Sequence, residues 1–113
     1  RVACPVELCL AVLGGKWKLL ILSNLFGGAR RYGELRRLLP EITEKMLIQE
    51  LRELELDGIV ARTVYQQVPP RVEYTLTEQG QRVQPLIGAL VEWGQGYLQR
   101  DGRACPQAAV VPA

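Results

Sequence analysis

The sequence predicts a mainly α-helical domain that carries one small β-hairpin. Two observations predict it. Apolar residues recur at helical spacing up to residue 57 and again from 78 to 100, whereas residues 59–77 alternate with a period of two. Glycines and prolines at Gly14-Gly15, Gly27-Gly28, Pro40, Gly58 and Pro69-Pro70 cut the chain into four helices, a hairpin and a last long helix. At 113 residues the chain has the length of one domain, and no disulfide or metal is needed to hold a core of that size.

The first helix begins at Pro5, which suits a first helical turn, and ends at Gly14-Gly15. The second follows in GKWKLLILSNLFGG, where Trp17, Leu20, Ile21, Leu25 and Phe26 share a face; it is expected to be the most buried. ARRYGELRRLLP forms a third, short helix with Tyr32, Leu35, Leu38 and Leu39 together, ended by Pro40. Thr43 caps the fourth, whose core stripe is Leu47, Leu51 and Leu54, and Gly58 stops it. IVARTVY (59–65) and RVEYTLT (71–77) are strands around the tip QQVPP, where Pro69 and Pro70 break no ladder. Thr77 caps a last helix over 78–100, which Pro85 either kinks or truly starts. Residues 1–100 are thus one domain, and 101–113 are expected to be a flexible tail.

Two helices joined by the short turn Pro40-Glu41-Ile42-Thr43 form a helix-turn-helix candidate. A hairpin directly after the second makes it a winged helix-turn-helix, an α+β fold. Net charge is only +2, but its distribution is uneven. Arg30, Arg31, Arg36 and Arg37 face Glu34 alone in residues 30–40, whereas residues 41–58 set Lys45 and Arg52 against six acids. Any phosphate-binding surface must therefore be built from selected faces.

With the leucine stripe inward, the fourth helix shows Glu44, Lys45, Ile48, Gln49 and Arg52 outward. In a helix-turn-helix the start of the second helix enters the major groove, where Lys45 and Arg52 suit guanine or phosphate and Gln49 suits adenine. Ile48 could meet a thymine methyl, and Glu50, Glu53 and Asp57 must point away. An ordinary surface helix with a solvated acidic face explains the same pattern. The first helix of the pair crosses the DNA backbone in this motif, so Arg30, Arg31, Arg36 and Arg37 would meet phosphates; a solubilising cluster is the plainer alternative. Arg62 and Arg71, flanking the wing tip, favour the DNA reading.

No run is apolar enough to span a membrane, and Leu8 to Leu13 lacks the flanks of a signal peptide, so an intracellular protein is expected. The sequence starts at Arg1, which does not exclude earlier residues. Three cysteines and no histidine rule out a four-ligand zinc site and histidine-activated nucleophiles within one chain. No metal or cofactor is expected. Cys4 sits at a helix start, where the dipole lowers a thiol's pKa; it is either reactive or an inert N-terminal thiol. Cys9 fits the core, and Cys105 lies in the tail. Trp17, Trp93 and Tyr97 either line an effector cavity or pack in the core or a dimer contact.

CPVE (4–7), GGKWKLLIL (14–22), RRYGELRRLLPEITEKML (30–47), LRELELDGIVART (51–63) and VPPRVEYTLTEQG (68–80), in this order and spacing, resemble the HxlR-type transcriptional regulators, winged-helix proteins related to the MarR group. The resemblance covers residues 4–98. It implies a homodimer held by the N- and C-terminal helices, bound to a palindromic operator in double-stranded DNA in the cytoplasm of bacteria or archaea, nucleoid-associated when bound. It assigns DNA reading to Thr43, Lys45, Met46, Gln49 and Arg52, and backbone or wing contacts to Arg30, Arg31, Arg62, Pro70 and Arg71. Ile48 departs from the small polar residue usual there. Members that sense oxidants or electrophiles are similar to this chain at Cys4, so an oxidant or small-molecule effector is a further implied partner. The expected protein is a repressor without catalysis. The rivals are a thiol redox enzyme, which the lack of any C-x-x-C disfavours, and a winged helix used for protein contacts.

Overall fold

A computed structural model describes residues 4–101. Its elements are α1 (Pro5–Leu13), α2 (Lys18–Ser23), β1 (Arg30–Arg31), α3 (Tyr32–Leu38), α4 (Glu44–Leu56), β2 (Val60–Tyr65), β3 (Arg71–Leu76), α5 (Glu78–Gln81) and α6 (Gln84–Asp101). The expected tail, with Cys105, lies outside the described residues.

The core forms where the leucine periodicities meet. Ile21, Leu22 and Leu25 from the α2 segment, Leu35 and Leu39 from the α3 segment, and Leu47, Leu51 and Leu54 from α4 are buried together with Val60, Tyr74 and Ile87. Each side chain of this size contributes about 1.5–3 kcal/mol on burial. Thr43 caps α4 as expected: its Oγ1 accepts from the Met46 backbone N–H at 3.1 Å. Gly58 ends that helix at φ +76°, a backbone geometry that favours glycine.

Three elements differ from the sequence expectation. Helix α2 is shorter than residues 17–26, because a turn follows it at once. The Ser23 hydroxyl and the Asn24 amide both donate to Leu20 O, at 2.8 and 2.9 Å, and so satisfy the carbonyl that the helix leaves open. Arg30 and Arg31 form a strand rather than the start of α3, pairing with Tyr74 and Glu73, so the wing is a three-stranded antiparallel sheet of order β1-β3-β2. The last helix is two. Thr77 caps α5 by accepting from Gly80 N at 3.1 Å, and α6 starts one residue before Pro85, which marks a true start and not a kink.

The β2–β3 hairpin runs in register from Val60↔Leu76 to Tyr65↔Arg71, leaving residues 66–70 as the tip. Tyr74 is buried, and Val72 and Leu76 pack against the core, so β3 anchors the wing to the helices.

Candidate nucleic-acid interface

Helix α4 presents the face its periodicity predicts. Glu44, Lys45, Met46, Ile48, Gln49 and Arg52 are exposed, while Leu47, Glu50, Leu51 and Leu54 are buried. Glu44, Lys45, Ile48, Gln49 and Arg52 line one shallow groove. Ile48 and Arg52 also line a second cleft, which continues across Glu55 to Arg62 and Tyr74 of the wing. The exposed side of α4 and the base of the wing are therefore one surface. Among the described residues Lys45, Arg52 and Arg62 make no salt bridge, so their charges remain available for a polyanion.

Two acids of α4, Glu50 and Glu53, find their partner in Lys18 of α2, whereas Glu44 and Glu55 stay on the exposed face. Lys18 is only 8% exposed, and its Nζ donates to Glu53 Oε1 at 2.5 Å and lies 3.7 Å from Glu50 Oε2. A lysine buried this deeply needs such carboxylates. The hydrogen bond to Glu53 raises the Lys18 pKa and lowers that of Glu53. Glu53 Oε2 accepts in turn from Gln49 Nε2 at 3.1 Å. The sequence reading missed the contact between Lys18 and Glu53, which lies behind Gln49. The Gln49–Glu53 spacing of four was a usable signal; Lys18, 35 positions from Glu53, offered none.

The remaining arginines divide. Arg31 and Arg37 are exposed and Arg36 is half-buried at the end of α3. Arg30 is half-buried and its Nε donates to Asn24 O at 3.1 Å, so it also fixes the turn before β1. Arg71 does not project freely from the tip. Its guanidinium lies 4.2 Å from the centre of the Tyr65 ring, its cross-strand partner, and its Nε is 3.4 Å from Glu73 Oε2. That is an ion pair and not an aligned hydrogen bond, because Nε has no hydrogen-bond partner. Pro70 stands exposed beside it.

Among the described residues, Trp17 does not line the groove that Trp93 and Tyr97 share. Trp17 is half-buried against the core with Lys16 Nζ over its ring. Trp93, 70% exposed, stacks on Tyr97 at 5.2 Å between centroids, in a groove of α6 that Trp17 does not line. Cys4 is exposed at the start of α1, and its thiol pKa is lowered by hydrogen bonds from the Glu7 and Val6 backbone N–H groups. Cys9 packs against the core as expected. No group of three or more potential metal ligands occurs among the described residues.

The model of the HxlR-like helix-turn-helix family matches residues 12–102. The chain belongs to that family. The HTH-type transcriptional regulator YdeP of Bacillus subtilis is 50% identical over 97 residues, 86% of this chain and 76% of that protein. The crystal structure of the HTH-type transcriptional regulator ytcD superposes with a TM-score of 0.83 at 49% identity, covering 86% of this chain and 99% of that one. The redox regulator HypR in its oxidised form gives 0.79 at 52% identity, covering 82% and 96%. The fold is thus the winged helix of HxlR-like regulators, and the chain is a helix-turn-helix transcriptional regulator by family. The family match begins at residue 12, so Cys4 and most of α1 lie before it. Among the described residues no helix is long and apolar enough to cross a membrane.

Proposed function

We propose that this HxlR-like protein binds a palindromic operator as a homodimer and represses transcription without catalysis, in the cytoplasm and at the nucleoid of a bacterium or archaeon. Residues 1–100 do this work, with 101–113 as an appended tail. The observation that carries the proposal is the continuous surface from α4 to the wing, on which Lys45, Arg52 and Arg62 make no salt bridge among the described residues. Lys45, Met46, Gln49 and Arg52 face base edges in the major groove. The Thr43 hydroxyl, already accepting from Met46 N, keeps its proton for a phosphate. Arg30, Arg31 and Arg36 contact phosphates beside it, and Arg62, Pro70 and Arg71 follow the backbone from the wing.

Dimerisation is supported by apolar side chains exposed among the described residues: Val6, Leu8 and Leu10 on α1, and Leu90 and Trp93 on α6. The stacked Trp93–Tyr97 pair suits that contact better than a small aromatic effector. A thiol signal through Cys4 is supported by its exposure, its lowered pKa and the description of HypR as a redox regulator.

The test is an electrophoretic shift with DNA from upstream of the protein's own gene, in rising salt. Wild type should bind with a steep inverse salt dependence, and Arg52→Ala and Arg62→Ala should each weaken binding. Equal binding by both variants and wild type would place the DNA surface elsewhere.

A further inference from the structure

On the exposed face of α4, the Gln49 amide is already held by another side chain of the protein. Its Nε2 donates to Glu53 Oε2, while the other carboxylate oxygen, Oε1, takes the Lys18 ammonium. An ionised carboxylate only accepts hydrogen bonds. The lysine is buried and charged, and it favours that ionised form. Glu53 therefore demands the NH2 side of the Gln49 amide. The opposite orientation would set amide oxygen against carboxylate oxygen with no proton between them.

The amide is planar, so this fixes what it shows to a ligand: the carbonyl oxygen and the second N–H. Those two groups match the major-groove edge of adenine, whose N6–H donates and whose N7 accepts. Cytosine offers a donor at N4 and matches in part. Guanine offers only acceptors at N7 and O6, and thymine offers O4 and a methyl. Either can accept the second N–H but offers the amide oxygen no donor, and guanine sets a further acceptor beside it; only adenine pairs with both groups while the bond to Glu53 is kept.

We propose that the Lys18–Glu53 pair is a specificity-determining element, which holds the Gln49 oxygen outward and so makes adenine the preferred base, and guanine and thymine the rejected ones, where Gln49 meets DNA. This rests on the reading above in which Gln49 faces a base edge. Lys18 and Glu53 need not touch DNA themselves; they are positioning residues behind the one that does.

Selection from a randomised duplex library, followed by sequencing, tests it with the intact protein. Gln49→Ala locates the contacted position as the one in each half-site whose base preference disappears. Wild type should prefer adenine there over guanine by roughly 5- to 150-fold, the range for a good bidentate contact. Glu53→Gln can offer Gln49 either a donor or an acceptor, so it should cut that ratio to below about threefold while leaving preferences at other positions unchanged. Glu53→Ala leaves Lys18 facing Glu50 and should relax the same position, so a folding failure in one variant leaves the other to decide. A guanine or thymine preference at the Gln49 position, or an unchanged adenine preference in the folded Glu53 variants, overturns the inference alone. If Gln49→Ala alters no position, the base-reading role of Gln49 falls with it.

Discussion

Arg52 and Arg62 line the same cleft from different elements, and removing each should have a different effect. Arg52 lies on the exposed side of α4 with a guanidinium suited to guanine. Arg52→Ala should cost about 1–3 kcal/mol of operator binding and relax one position. Arg62 is on the wing, where phosphates are the expected partners. Arg62→Ala should weaken all sequences alike and flatten the slope of log K against log salt by about 0.9 per arginine, or roughly 1.8 per dimer. Anisotropy titrations of operator and scrambled duplexes at several salt concentrations separate the two. Cys4 allows a third measurement. A thiol is neutral when protonated, so a lowered pKa means thiolate at lower pH. With Cys9 and Cys105 replaced by serine, the rate of alkylation by iodoacetamide should reach its midpoint below the ordinary thiol value of 9.0 and return to it in urea. A midpoint unmoved by urea would mean the helix start does not activate the thiol. The outward face of α4 was legible in the sequence, because Leu47, Leu51 and Leu54 fix the helix's rotation and Lys45, Gln49 and Arg52 follow. The fate of Arg71 was not. Its stacking on Tyr65 depends on hairpin register, which the bare alternation of the two strands leaves open.

Between elements, TLTEQG carries more than a cap. Thr77 Oγ1 donates to Gly58 O at 2.5 Å and accepts from Gly80 N, while Thr77 N donates to Ile59 O at 3.0 Å. The end of β3 is thereby bonded to the start of β2, and Gly80 lies so close to Ile59 O that a methyl there would collide with it. Gly80→Ala should destabilise by about 1–3 kcal/mol, the range for overpacking, and toward its upper end because the atom it meets is backbone, whereas Thr77→Ala should cost about 1 kcal/mol for the lost cap. Urea melts of both variants check the order, and a neutral Gly80→Ala would show that α5 shifts freely. The α2–α4 clamp has a pH signature. Glu53 has a lowered folded pKa, so its contribution is present above the unfolded carboxylate value and disappears as pH falls through the folded one. Lys18 has a raised pKa, so its contribution is present below 10.5 and disappears as pH rises through the folded value. The stability gap between wild type and Glu53→Gln should therefore be open at pH 7 and close in acid. The gap will be modest, because the Glu53 side chain is 41% exposed and water screens it. A gap independent of pH would remove the ion pair as its cause. Helix types and their caps were legible because period and capping are local. Strand β1 was not, since two arginines become a strand only by pairing with residues more than 40 positions away, and the buried Glu50 was hidden for the same reason.

For the whole molecule, α1 is an element that a single chain buries little. It has nine residues, and only Leu13 among them is buried, while Val6, Leu8 and Leu10 are exposed. Isolated helices of this length are marginal in water, and among the described residues Cys9, Val12 and Leu13 are what α1 packs against the core. On α6, Leu90 and Trp93 are exposed as well. A second copy that covers both faces would stabilise α1 and set the spacing of the two α4 helices, so folding of α1, dimerisation and operator binding should rise and fall together. Leu10 is 64% exposed, so a charge there costs the single chain little but would be buried in such a dimer. Leu10→Glu should therefore sediment as a folded monomer with less helix by circular dichroism, and its melting temperature should lose the concentration dependence expected of wild type. It should still bind a half-site through one α4. Its affinity for the full operator should fall by about 10²–10⁴-fold, since the second contact is no longer tethered to the first. Wild type sedimenting as a monomer at tens of micromolar, or Leu10→Glu binding the full operator undiminished, would separate α1 from dimerisation and leave the spacing of the two reading helices to some other contact.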